Sequence, residues 1–201
     1  GEGQIKISGP ISMRMVHGFR AASDAILVGI GTALADDPQL TCRLPGLYAR
    51  SPVRVVVDRQ ARLPLNSKLV RTCVDVPVWL ICGNSADTDQ VNALAAAGIN
   101  IIRVPATPSG IDPDVILSAL ATRGVTRVMV EGGARLASSF LGAGLVDDLC
   151  VVTGDIEIGE GGIPALHGLD LANVLTDPQF ASIGAGYLGA DRYTYLRKSG
   201  A

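Results

Sequence analysis

Apolar and polar positions alternate in blocks along this chain. Apolar runs of strand length recur at Ala25–Val28, Pro52–Asp58, Val76–Cys82, Gly98–Val104, Val125–Val130 and Asp147–Thr153. Several are rich in valine and isoleucine with no polar residue on alternate positions, the pattern of strands buried on both faces. Between them lie stretches with apolar residues at helical spacing: Ile11–Ala22, Asp87–Ala97, Pro113–Arg123 and Ala134–Leu141. Pro113 opens one of these and Gly124 follows it, the usual asymmetry of helix ends. Ser8 or Ser12 is the expected cap of the first helix. Gly31 to Arg43 reads as a polar loop after the first strand.

After Thr153 the alternation stops. A Gly/Pro-rich loop from Gly154 to Gly168 leads to two closing strands, Phe180–Tyr187 and Arg192–Leu196, joined by a turn at Gly189-Ala190. Strands alternating with helices predict a three-layer αβα fold around a mostly parallel sheet, with the closing strands as an antiparallel edge. No repeat or linker interrupts the chain, so one domain over residues 1–201 is expected.

Composition narrows the function classes. The chain has 201 residues, 48% hydrophobic and 18% charged, with a formal net charge of −2. That excludes a disordered chain, and no charge block points to nucleic acid or a membrane surface. No apolar stretch reaches the ~18 residues of a membrane span, and no signal peptide opens the sequence. The four cysteines, Cys42, Cys73, Cys82 and Cys150, form no CxxC, which argues against zinc and for free thiols in a reducing cytoplasm.

Ligands of open α/β sheets bind beyond the carboxyl ends of the strands. Three strand ends here carry glycines, carboxylates or arginines: Gly29 to Pro38, Asp58 to Gln60, and Glu131 to Leu136. Two glycines where a strand turns into a helix, Gly132 and Gly133, let a ligand approach the backbone, and the helix start favours phosphate. A tight turn packed for its own sake is the alternative. Gly29 and Gly31 do not complete a dinucleotide fingerprint, because Leu34 stands at the third position. Arg59 lies where an arginine accepts a 2′-phosphate, unless it is a solvated surface residue. Arg20 and Arg43 are fork-shaped candidates for a substrate phosphate. His17, one turn before Arg20, reads as a packing residue rather than a catalyst. His167 has no evident partner, and no Ser/His/Asp order or HExxH appears.

Three blocks carry a family likeness: "VHGFRAASDAILVGIGTALADDPQLTCR", "SPVRVVVDRQARLP" and "VMVEGGARLASSFLGAGLVDDL". In this order they resemble the pyrimidine reductase of riboflavin biosynthesis, the reductase half of a bifunctional deaminase/reductase with a dihydrofolate-reductase-like fold. The likeness extends to "GADRYTYLR" near the C-terminus. It implies NADPH-dependent reduction of the ribosyl side chain of 5-amino-6-(5-phosphoribosylamino)uracil to a ribityl group. It places Thr32, Asp36, Arg59, Gly132, Gly133, Ala134, Arg135 and Leu136 against the cofactor, with Lys6 beside them. It places Gln4, Arg20, Leu40, Arg43 and Glu131 on the substrate side. Glu131 and Asp36 are its candidate proton donors.

Two departures stand out. Lys6 replaces an aromatic of the family pattern. The family's first strand, ending in an aspartate, and the deaminase half are missing from this sequence, which reads as a trimmed chain in preference to a divergent relative; fusion to a deaminase in the full-length protein is a further expectation. The family also implies a homodimer. The rival readings are another reductase of this fold acting on a diaminopyrimidine or pterin, a non-catalytic NADP-binding module, and an interaction domain.

Overall fold

The computed structural model describes residues 8–156, 159 and 162–200. Its elements run α1 (Pro10–Ala22), β1 (Ala25–Gly29), α2 (Ile30–Asp36), β2 (Val53–Val57), α3 (Lys68–Arg71), β3 (Val78–Gly83), α4 (Thr88–Ala96), β4 (Asn100–Val104), α5 (Pro113–Ala121), β5 (Val128–Val130), α6 (Ala134–Gly142), β6 (Asp148–Thr153), α7 (Leu171–Leu175), β7 (Phe180–Leu188) and β8 (Asp191–Lys198). The expected strands and long helices are all present, with ends moved by a few residues. The short helices α2, α3 and α7 were not anticipated.

β1 to β5 form one parallel sheet in the order β4-β3-β2-β1-β5. Alternate residues of its strands feed two cores. Ile26, Val28, Val56 and Leu80 meet Leu69 of α3 and Val91 and Leu94 of α4 on one face. Leu27, Val55 and Ile81 meet Ile116 and Leu120 of α5 and Phe140 of α6 on the other. Apolar burial on both faces explains why these strands lack polar alternation. Asp87 and Asp112 cap α4 and α5 by accepting from backbone N–H groups, and Gly98 and Gly124 take positive φ just after those helices.

β6, β8 and β7 form a separate antiparallel sheet, not an edge of the parallel one. The turn at Gly189-Ala190 does close the β7–β8 hairpin, with Gly189 at φ +71. Strand direction was readable from this local turn, but β6 pairs with β8 across tens of residues, which no local pattern reports. α1 leans on this second sheet: Phe19 meets Tyr195 edge to face, ring centroids 5.8 Å apart. Neither Ser8 nor Ser12 caps α1. The cap position is Gly9, whose N–H donates to the buried Asp191 carboxylate at 2.7 Å. No described helix is long and apolar enough to cross a membrane.

Candidate active site

β1 lies between β2 and β5, so the order of connection reverses beside it. A crevice opens at the carboxyl end of such a switch point. Glu131 leaves β5 there, its N–H still bonded to Leu27 O at 3.0 Å. Gly132 and Gly133 follow at φ +80 and +87, conformations that a side chain disfavours. Thr32, in the first turn of α2, lies against this turn. A Cβ on Gly133 would stand 3.1 Å from Thr32 Oγ1. Gly133 is also the cap position of α6, so the first N–H groups of that helix have no side-chain cap. Ala134, Arg135 and Leu136 form the first turn. Farther along α6, Ser138 Oγ accepts the His167 backbone N–H at 2.8 Å, and the Ala134 carbonyl lies 3.4 Å from the same N–H.

The first part of the segment expected as a loop from Gly31 is helical, since α2 runs Ile30–Asp36. With seven residues and a glycine cap, α2 carries no signal strong enough to read beforehand. Asp36 is exposed one turn beyond Thr32. Asp37 then takes a left-handed conformation and accepts the Lys68 N–H at 2.7 Å, fixing the exit of α2 to the start of α3.

From Gln39 to Arg43 the backbone has no regular partner strand, and side chains from elsewhere hold it. Arg54 Nη1 donates to Gln39 O at 3.2 Å. Arg20 Nη1 donates to Thr41 O at 2.9 Å. Ser51 Oγ accepts from Cys42 N at 3.0 Å, and His17 Nδ1 accepts from Arg43 N at 3.1 Å. Satisfying these groups from outside is what lets an irregular segment sit partly inside the protein. His17, Arg54 and Ser51 were not recognised as site-building residues. The single hint was their polar type inside otherwise apolar or helical blocks.

Arg20 differs most from expectation. It is buried, and its Nε and Nη2 grip both oxygens of Glu131, with Nε to Oε2 at 2.8 Å and the second contact shorter. Three donors are thus committed to protein, and the paired phosphate clamp expected of Arg20 and Arg43 is not what the structure assembles. Arg43 alone of the two is exposed. Leu40, expected on the substrate side, is 3% exposed and packs its side chain in the core, with its backbone at φ +56. His17 is held below its ordinary pKa, by burial first and then by the positive charges of Arg20 and Arg43.

Arg59 follows β2. The buried Asp58 accepts from Arg62 and Gln60 and shapes the turn, while Arg59 O accepts the Gly83 N–H at 3.0 Å. The Arg59 stem lies over Gly83, where a Cβ would come 3.4 Å from Arg59 Cγ. Arg59 therefore sits at the same end of the sheet as Glu131, on the far side of β1. Gln4 and Lys6 lie outside the described residues.

Similarity to known proteins agrees with this geometry. The family model for the RibD C-terminal domain matches residues 1–188. The chain is 35% identical over 203 residues to the 2,5-diamino-6-ribosylamino-4(3H)-pyrimidinone 5′-phosphate reductase of Archaeoglobus fulgidus, covering 94% of this chain and 89% of that protein. It is 37% identical to the riboflavin biosynthesis protein RibD of Bacillus amyloliquefaciens, covering 74% of this chain but 39% of the relative. The solved structure of Acinetobacter baumannii RibD superposes with a TM-score of 0.76 at 26% identity, over 97% of this chain and 52% of that one. The chain thus spans about half the length of the RibD proteins it resembles, and nearly all of the archaeal reductase. With its parallel sheet, its glycine turn after Glu131 and these relatives, the chain belongs to the RibD C-terminal domain family.

Proposed function

We propose that this chain is the reductase that converts the ribosyl side chain of 5-amino-6-(5-phosphoribosylamino)uracil into a ribityl side chain, using NADPH. The observation that carries the reading is the adjacency of two features at one strand end: the Arg20–Glu131 pair and the Gly132-Gly133 turn closed by Thr32. Members of this family are oxidoreductases, and their chemistry calls for a nicotinamide cofactor.

The chain fits such a cofactor. A pyrophosphate needs close backbone approach and free N–H donors, and the crevice provides a turn without Cβ atoms and an uncapped helix start. Gly132, Gly133, Ala134, Arg135 and Leu136 would hold it, Thr32 and Asp36 would flank it, and Arg59 would take the 2′-phosphate that separates NADPH from NADH. When bound, the nicotinamide supplies hydride. The protein's part is placement and a proton. Glu131 has both oxygens fixed by Arg20, the arrangement of a rigid acceptor that orients sugar hydroxyls. Asp36 has no hydrogen-bond or ion-pair partner among the described residues, and we take it as the carboxylate that gives a proton to the opened ring. Arg43, exposed at the end of its anchored segment, would take the substrate phosphate.

One domain would carry both walls of the crevice. We read the protein as cytoplasmic, and as a homodimer through the second sheet, where Ile183 and Tyr187 of the edge strand β7 are exposed. Fusion to a deaminase, as the longer RibD relatives suggest, is compatible with this reading.

A second reading has its own observation. The Archaeoglobus relative, matched over most of its length, is named for a diaminopyrimidinone substrate. The test is NADPH oxidation with the uracil and the diaminopyrimidinone phosphates side by side, with NADH in parallel. Turnover of the uracil with NADPH preferred supports the first reading. Turnover of the diaminopyrimidinone alone supports the second. NADPH binding without turnover of either would leave a binding module.

A further inference from the structure

We propose that His17 is a positioning residue for substrate: its unprotonated Nδ1 holds the Arg43 backbone where the Arg43 side chain can reach the phosphate, and protonation of the ring releases it. The inference rests on the assignment of Arg43 to the phosphate.

The geometry is a single contact with a defined sense. Arg43 N donates to His17 Nδ1 at 3.1 Å, across 26 positions of sequence. A neutral imidazole accepts through one nitrogen and carries its proton on the other, so this bond selects the Nε2–H tautomer. The cationic ring has no acceptor. It would set an N–H against an N–H, and the contact would be lost rather than weakened.

His17 is buried and Arg43 exposed, so the imidazole is fixed by its surroundings while the arginine depends on its anchor. Three charged groups face the ring. Arg20 comes from its own helix and Arg43 from the anchored segment, both opposing a second positive charge. Glu131, from the end of β5, favours one, as does the Thr41 carbonyl. The opposing effects win, together with burial, and keep the ring neutral at physiological pH. The sign follows. With the folded value below the ordinary 6.5, the anchor is present above that range and is lost as pH falls through the folded value.

The test uses three proteins: wild type, His17→Asn and His17→Ala. An asparagine Oδ1 stands near the Nδ1 position and accepts an N–H at any pH, whereas alanine accepts nothing. KM for the phosphoribosylamino-pyrimidine is measured with NADPH from pH 8 down to pH 5.5. At pH 8 the alanine variant should raise KM about tenfold, the scale of one buried hydrogen bond, with kcat changed far less. Asparagine should restore most of that loss. On acidification the wild-type KM should climb further than the asparagine variant's, by a factor that approaches about tenfold only as the ring becomes fully protonated. The substrate phosphate titrates near pH 6 as well, but identically in both, so the ratio isolates His17. A wild-type and an asparagine profile that run parallel would overturn the proposal, as would an unchanged KM in the alanine variant.

A second measurement needs no substrate. In 15N NMR of the free protein, the His17 Nδ1 resonance and the Arg43 amide should titrate with one midpoint below 6.5, and the amide should stay still in His17→Asn. An Arg43 amide that ignores the imidazole sinks the proposal. Absence of turnover in the wild type counts against the function proposed above, while the resonance titration still decides the anchor.

Discussion

Arg20 and Glu131 form a two-point ion pair across 111 positions of sequence, joining α1 to the end of β5 with Nε and Oε2 2.8 Å apart. The arginine side chain is 6% exposed and the carboxylate 27%, so removing Glu131 strands a buried guanidinium, and removing Arg20 leaves a half-buried carboxylate unpaired. Glu131→Gln and Arg20→Met should each cost about 1–3 kcal/mol. The double variant should cost less than the sum, as urea unfolding in a double-mutant cycle would show. In kinetics, Glu131→Gln should act mainly on KM, whereas Asp36→Asn should lower kcat by roughly 10²-fold. The opposite split would exchange their roles.

Gly133→Ala should damage both fold and cofactor binding. Alanine at φ +87 costs about 1–2 kcal/mol, and its Cβ would press on Thr32 Oγ1 at 3.1 Å. NADPH affinity should fall at least tenfold by fluorescence titration. Thr32→Ala added to it should recover part of the stability, since Thr32 Oγ1 is the nearest atom the new Cβ would meet.

Arg54 is fully buried in β2, and each guanidinium contact is to an uncharged oxygen: Gln39 O, Thr72 Oγ1, Thr72 O and Val76 O. Burial pulls its pKa below the ordinary arginine value. Arg54→Met should remove the guanidinium donors from Gln39 O and Val76 O, while Thr72 O keeps the Asp75 and Val76 N–H groups, and cost about 3 kcal/mol in thermal or urea unfolding. Faster amide exchange at Leu40 and Thr41 should accompany it, because the Gln39 tether is gone. A variant as stable as the wild type would show that water replaces the guanidinium.

Asp24 links the start of β1 to the approach to β5. Its Oδ2 accepts from Thr126 Oγ1, Thr126 N and Arg127 N, and these bonds, the hydroxyl first, hold the carboxylate below its ordinary range. A depressed carboxylate stabilises the fold above its unfolded value and loses that contribution as pH falls through the folded one. Asp24→Asn should therefore be less stable than the wild type at pH 7, and the gap should narrow below about pH 4. A gap independent of pH would assign the effect to packing.

Much of this protein was legible from local order. Continuous apolar runs such as Ala25–Val28 marked buried parallel strands, because a strand covered on both faces needs no polar alternation. Gly132 and Gly133 marked the turn from β5 into α6, because a strand-to-helix turn at positive φ disfavours side chains. Arg59 could be placed at a strand end because it directly follows one. Such features depend on neighbours within a turn or a strand, and the sequence alone determined them. The tertiary structure decided what distant residues do to one another. It turned Arg20 from a phosphate ligand into Glu131's partner, and His17 from a packing residue into an anchor for Arg43. It buried Leu40 and moved β6, β7 and β8 into a sheet of their own. Periodicity cannot report such pairings, because hydrogen bonds and burial between segments tens of residues apart leave no mark on local spacing.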